Sequence, residues 1–517
     1  MTLKNIFGKW KRAKNLIQQQ ILTGAEEGDG LSGNLNKDEQ VIFQGLSGSS
    51  DIIRRRILIG STPAVLIYIE GIIDNDVIHK DVLNRLQRVK EIPSMTVGAL
   101  DFIAQKVLST STVKKTTLLA NMLVEVLTGN AVLLIEGNKQ VLIVEVKGGE
   151  RRNITEPVTE RTMRGSREGF IEDIAVNLAL VRRKIVSTKL AIEVTRIGQR
   201  SRTKVALAYM SDIADPKIVQ EVRHRISQIN TDVILEAGYI ERFIEDHPWS
   251  LFPQVFGTER PDRVVANLLE GRVAILIDGT PYVLVVPTLF IQFLQGSEDY
   301  NERLIVGSLA RTTRYFAFLL TTTLTAIYIA LVTFHHSLLP TDLLLAVAEA
   351  RQKVPFSALA EAMFMEIVVE ILREAGLRLP QTVGQTLGVV GGIVLGQAVI
   401  QANLVSPLMV VVVALSAISS FVFPNYSMAL AIRLIKFPLM ILASIFGALG
   451  IAVGWVFFTI HLASMESFGI PYLAPLAPTR YADLGDTMVV SNLWKHKKRP
   501  ASIPHVNNRR MGDTPQE

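Results

Sequence analysis

Two spacings of apolar residues divide the chain. Up to about residue 300 they fall in short blocks punctuated by Gly, Asn, Asp and charged positions, the pattern of buried strands, hairpins and amphipathic helices. Beyond that point they fuse into long runs. No charged residue stands between Arg378 and Arg433, and between Lys436 and Glu466 His461 is the only titratable group. A helix crosses about 30 Å of hydrocarbon in about 20 residues, and four segments reach that length: 315–334, 382–402, 405–423 and 437–460. The stretch 283–294 is too short to span and is expected to end a soluble subdomain or lie at the interface.

The strand-rich half repeats itself. Leu127–Val144 (LTGNAVLLIEGNKQVLIV) aligns without a gap on Leu269–Val286 (LEGRVAILIDGTPYVLVV), an offset of 142 residues. Each copy reads as a helix end, a glycine, a buried strand, a turn at Glu136-Gly137 or Asp278-Gly279, and a second strand. At nearly the same offset Ala64–Asp74 resembles Val205–Asp215, each a strand and polar turn leading into a helix near Asn75 or Pro216. The shared offset predicts two similar α/β subdomains, 51–150 and 187–300, preceded by a mobile polar tail over 1–50. The tail's glycine pattern, Gly28, Gly30 and Gly33, lacks the preceding strand and following helix of a dinucleotide site. Between the subdomains, 151–186 is a linker dense in Glu160, Arg161, Arg164, Arg167 and Glu168. Such a run suits ion pairs at a domain joint better than an anion site. Ile171, Ile174, Leu178, Val181 and Ile185 recur at helical spacing and predict a helix over 167–185, capped by Ser166.

The membrane half, 301–465, holds two patterns of its own. Gly384, Gly388, Gly392 and Gly396 recur every fourth residue beside Gln381, Gln385, Gln397 and Gln401, a face for close helix packing with interhelical hydrogen bonds or, less simply, for lining a pore. Near 356–374 an apolar helix carries Glu366, Glu370 and Glu374 four apart, with Glu361 upstream and Arg373 alongside. Two readings stay open. It lies on the membrane surface as an amphipathic helix, or it lines a water-filled passage in an assembly of copies. In that passage carboxylates would favour cations and rings of Met363 or Ile367 would close it by dewetting.

Composition sharpens this picture. Hydrophobic residues at 49% and charged residues at 20%, with a mean hydropathy of +0.31, average a soluble part with a very apolar one. The net charge of +6 is gathered at the ends, which argues against nucleic acid and for both ends, including a basic tail over 466–517, on the cytoplasmic side. Arg433 and Lys436 then fall on the far side, against that rule. No apolar run follows the N-terminal lysines, so no signal peptide is expected. The absence of cysteine excludes disulfides and a thiol nucleophile. Neither a GxxxxGK[ST] loop, an HExxH pair nor a GxSxG elbow occurs, and the adjacent His335 and His336 diverge by about 100° on a helix. No metal, cofactor or enzymatic activity is expected. The fold class is an α+β/α multi-domain membrane protein: two duplicated α/β cytoplasmic subdomains, then a transmembrane bundle of about four spans with an embedded amphipathic helix.

Four long motifs carry a resemblance. TEPVTERTMRGSREGFIEDIAVNLALVRRKI (155–185), SLFPQVFGTERPDRV (250–264) with GRVAILIDG (271–279), EDYNERL (298–304) and EILREAGLRLPQTVGQTLGVVGG (370–392) occur in the order found in the GerA family of spore germination proteins. The chain resembles the A subunits of its nutrient germinant receptors over about 155–470. Ser166 stands where the family commonly has Pro, a variant that a paralogous sporulation protein of the same family also fits. The resemblance implies a spore inner-membrane protein working with a transporter-like B subunit and a lipoprotein C subunit. It further implies a homo-oligomer, a pentamer, forming a ligand-gated channel for monovalent cations. In that setting Glu361, Glu366 and Glu370 would line the cation pathway, Met363 or Ile367 would form the gate, and the glycine stripe would pack helices around it.

Overall fold

The computed structural model describes residues 31–90, 98–108, 112–148, 164–378, 392–492 and 496–511, with the isolated residues 157, 160, 162 and 494. Strands β1 (Ile52–Ile59), β2 (Thr62–Ile69), β3 (Val113–Thr116), β4 (Ala131–Ile135) and β5 (Val141–Val144) form an antiparallel sheet in the order β1-β2-β4-β5-β3. A second sheet takes β6 (Leu190–Ile197), β7 (Thr203–Met210), β8 (Phe256–Thr258), β9 (Val273–Ile277) and β10 (Val283–Val286) in the order β6-β7-β9-β10-β8. The orders are the same, and the aligned hairpins β4-β5 and β9-β10 hold the same central places. In both, the strand after the glycine is wholly buried, as expected where both faces of a sheet are covered.

Each sheet is sandwiched by helices. Helices α1 (Leu35–Gly45) and α2 (Leu119–Leu127) cover one face of the first sheet through Leu35, Ile42, Met122 and Val126. The first 50 residues are therefore not wholly a tail: Leu31, Leu35, Ile42 and Leu46 are buried, because apolar residues spaced by three to four turn one face inward. Helix α3 (Ile174–Lys184) is shorter than the predicted 167–185, and Asp173 caps it instead of Ser166, accepting bonds from the amides of Ala175 and Val176. The second sheet is covered on one face by α4 (Pro216–Ser227) and α5 (Ala237–Ile244). On the other face lie α3 and α6 (Pro261–Leu268), in a core that continues without a break into the helical half.

That half comprises α7 (Leu304–Thr333), α8 (Thr341–Gln352), α9 (Ala358–Arg378), α10 (Gly392–Gln401), α11 (Pro407–Ser419), α12 (Tyr426–Phe446) and α13 (Ala448–Ser464). Among the described residues α7 and α12 are long and apolar enough to cross a membrane. The predicted span 437–460 is broken: Gly447, at φ +60°, turns the chain between α12 and α13, and Phe446 and Ala448 beside it hide the turn from any reading of hydropathy. The predicted 315–334 is the later part of α7, which starts at Leu304 and carries Arg311 and Arg314, buried against Asp299, in its first half. Residues 379–391, with Gly384, Gly388, Gln381 and Gln385, lie outside the described residues. Gly392 and Gly396 on α10 face open space, with nothing within 4 Å of where a Cβ would stand.

The basic tail is not a tail over most of its length. Residues after α13 return to the second subdomain, where Phe468, Ile470, Ala474 and Ile503 join its core and Tyr472 donates to the Pro253 carbonyl at 2.6 Å. Uneven apolar content among prolines and basic residues concealed this packing from the sequence.

Candidate functional site

Helix α9 is held in the helical half by its own acidic residues. Ser357 accepts the amide hydrogen of Ala360 at its start, and 3.6-residue periodicity places Glu361, Ala362, Met365 and Glu366 on one buried face. Glu361 accepts from the Ser406 amide at 3.0 Å and stands 3.4 Å from the Arg351 guanidinium on α8. Glu366, fully buried, accepts from the Thr325 hydroxyl of α7 at 3.2 Å and pairs with the Lys436 ammonium of α12. Glu370 pairs with Arg373 at 2.8 Å and approaches Arg433 at 3.5 Å. Partners descend from Lys436 to Arg433 as the acids climb from Glu366 to Glu370, so α9 and α12 run antiparallel, stitched by a ladder of charge.

Physics explains the ladder. An unpaired charge in a low-dielectric interior costs several kcal/mol, so such groups survive only when paired and hydrogen-bonded. Lys436 is the central residue of the 21-residue helix α12, buried in an apolar setting where an ionisable group persists only with a partner. The sequence reading places Arg433 and Lys436 on the far side of the membrane; both instead stand inside helix α12 and are buried.

This placement also revises the reading of the acids. In the single chain Glu361 and Glu366 face inward to partners rather than into a passage, since leaving them unpaired there would be costly. Glu370 keeps about a third of its side chain exposed. Met363 is partly buried against the core, whereas Ile367 is 49% exposed. Phe364, Ile367 and Ile371 share the outward face, and Ile367, Glu370, Ile371, Glu374, Ala375 and Arg378 line a groove of about 530 Å³ with Phe437.

The linker residues are placed separately. Glu160 pairs with Arg263 at 2.7 Å, Glu168 with Lys184 at 2.7 Å and Arg164 with Glu302 at 3.7 Å, while Arg167 is exposed and Arg161 lies outside the described residues. The sequence did not reveal the joint between the two sheets. Buried Arg182 on α3 grips the Asp51 carboxylate at 2.8 and 2.9 Å and the Ser49 hydroxyl at 2.8 Å. Nor did it reveal the joint to the helices, where Asp299 and Asp486 converge on Arg311. Arg182 and Asp51 are 131 residues apart, and Asp486 reaches Arg311 from the C-terminal segment, 175 residues on, so no local pattern announces either joint. Among the described residues no cluster of three or more His, Asp or Glu could hold a metal ion.

The chain matches the family described as Bacillus/Clostridium GerA spore germination protein over residues 40–502. It is 42% identical over 482 residues to an uncharacterized membrane protein of Bacillus subtilis (strain 168), YfkQ, covering 93% of each chain. Spore germination protein KA of the same strain is 40% identical, with 93% of this chain and 89% of that one covered. Spore germination protein GerLA of Bacillus cereus is 37% identical, with 91% and 96% covered. Among solved structures, the N-terminal domain of the A subunit of the Bacillus megaterium spore germinant receptor GerK3 is 35% identical, covering 51% of this chain and 99% of that one at a TM-score of 0.40. With the sequence match running through the second sheet, α7, α9 and the charge ladder to the C-terminal segment, the chain belongs to the GerA family of spore germination proteins.

Proposed function

We propose that the chain is the A subunit of a spore nutrient germinant receptor, and that copies of it assemble into a ligand-gated channel releasing monovalent cations to start germination. In this reading it resides in the spore inner membrane with both ends on the core side. It works with a transporter-like B subunit and a lipoprotein C subunit, and it performs no catalytic step. Helices α7 and α12 cross the bilayer in a bundle of about four spans, to which the shorter apolar helices α10, α11 and α13 contribute. The reading draws on relatives that are named spore germination proteins.

One observation carries it: α9 leaves an apolar face, Phe364, Ile367 and Ile371, unpartnered amid membrane helices, with Glu370 and Glu374 at its edge. Placed around an axis, as in a pentamer, those residues form an apolar constriction beside carboxylates, the construction of a dewetting gate in a cation path. The ladder to α12 then fixes the helix so that its rotation, and with it the gate, follows α12. Potassium efflux from liposomes containing the purified chain tests this. Ile367→Ala is expected to leak at least tenfold faster than the parent, and Glu370→Gln in that background to reduce the potassium-over-chloride preference. Equal, negligible efflux from correctly assembled parent and variant would sink the channel reading.

A second reading is a non-conducting scaffold that couples the nutrient-binding subunit to germination by contact. The pairing of Glu361 and Glu366 inside the single chain favours it, because those carboxylates then serve structure alone.

A further inference from the structure

The loop between α5 and β8 presents the most exposed large apolar side chain among the described residues, Trp249, at 98%. Its neighbours on the chain are anything but loose. The Ser250 hydroxyl bonds His461 Nε2 at 3.0 Å and reaches Met465 Sδ at 3.3 Å, while the Phe252 ring lies 6.2 Å from the His461 ring. The loop is thus fastened to the last turn of α13. Along α13 the exposed large apolar residues are Leu449, Val453, Val456, Phe457 and Ile460, a stripe at helical spacing that ends one residue before His461. Trp249 therefore emerges where that stripe stops. Leu251, two residues on, is 48% exposed, and Phe243 and Tyr239 are 53% and 43% exposed on α5, the helix leading into the loop. The function proposed above makes no use of any of them.

A fully exposed tryptophan in water keeps a large apolar area hydrated, which is unfavourable. At the end of a lipid-facing helix the same residue sits at the headgroup level, where the indole buries its ring and keeps its N–H hydrated. We propose that Trp249, with Leu251 and Phe243, forms an interfacial anchor that seats the second α/β subdomain on the bilayer surface. The occupant is phospholipid, because the patch continues the exposed stripe of α13. The exposed Arg242 on α5 supplies a cation for lipid phosphates. The anchor fixes the height and tilt of the subdomain over the membrane.

The proposal rests on α7 crossing the bilayer, and the test separates the two. The chain has no native cysteine, so Trp249→Cys, Leu251→Cys, Leu319→Cys on α7 and Leu58→Cys on β1 each offer a single labelling site. All four positions are exposed. Each variant carries an environment-sensitive fluorophore in nanodiscs of phosphatidylcholine and phosphatidylglycerol. Quenching is read with aqueous iodide and with lipids spin-labelled at the headgroup or deep in the acyl chain. The expected result is that labels at 249 and 251 are quenched by headgroup spin labels and several-fold less by iodide than the label at 58. The label at 319 is quenched by the deep spin label. Iodide access at 249 and 251 equal to that at 58 overturns the anchor while a quenched label at 319 leaves the membrane reading intact. Shielding from iodide without quenching by lipid assigns the patch to a second copy or another protein and overturns it as well. Loss of deep quenching at 319 overturns the membrane reading, and the anchor with it.

Discussion

Lys436 shows how one residue ties a helix to its neighbours. Its ammonium is buried with the Glu366 carboxylate, whose other oxygen is taken by Thr325. Removing one member strands the other. Lys436→Ala is expected to cost about 3–5 kcal/mol of stability, read as a lower midpoint in detergent unfolding. Pairing it with Glu366→Gln restores most of the loss, since a neutral amide is cheap to bury when Thr325 still bonds it. A double mutant no better than the single would show that the pair does not carry the stability. The acids at spacing four were visible in the sequence, and so were Arg433 and Lys436. Their pairing was not, because about 70 residues separate them and the run between Arg378 and Arg433 says nothing about which helix lies beside which. Glu241 on α5 makes a contrasting residue-scale case outside the membrane. Burial, then repulsion from Glu245 and Glu236, raises its pKa to about 7. Between the unfolded carboxyl value and pH 7 the folded state holds the extra proton, so stability falls as pH rises through that window, by at most about 1.4 kcal/mol per unit. Glu241→Gln is expected to flatten that slope in thermal unfolding between pH 5 and 8; an unchanged slope would place the titration elsewhere.

At the scale of elements, the hairpin α12-α13 depends on its turn. Gly447 combines φ +60° with ψ −139°, a region closed to side chains, and a Cβ there would stand 2.9 Å from His335 Nε2. Gly447→Ala is expected to cost roughly 2 kcal/mol and to loosen the turn just after α7, where His335 accepts the Ala448 amide at 3.2 Å. Hydrogen exchange at Ala448 would report it, and unchanged protection would dissociate the turn from α7. The strand pairs were legible at this scale, since β4-β5 and β9-β10 advertise themselves by repetition, by the Glu136-Gly137 and Asp278-Gly279 turns and by continuous apolar runs. The helix boundaries were less so. Asp173 caps the helix in place of Ser166 because Phe170 and Ile171 lie outside it, with Asn177 bonding the Ile171 backbone at 2.9 and 2.6 Å. Periodicity alone carried the prediction past that stop.

Across the whole molecule, two arginine joints make the α/β half and the helices one mechanical body. Arg182 joins the sheets through Asp51, and Arg311 joins α7 to both Asp299 and Asp486, the latter contributed by the C-terminal segment. The division into a strand-rich and an apolar half was plain in the sequence, whereas the joints were not, because each brings together residues distant along the chain. The C-terminal segment also sets an order of events during synthesis. Phe468, Ile470, Ala474 and Ile503 complete the core of the second subdomain, yet they leave the ribosome only after every helix from α7 to α13. Until then a growing chain can fold its second sheet with one apolar strip bare. The finished surface of that subdomain is thus a sign of completed membrane insertion, and a chain that stalls within the bundle exposes the strip to the cell's quality control.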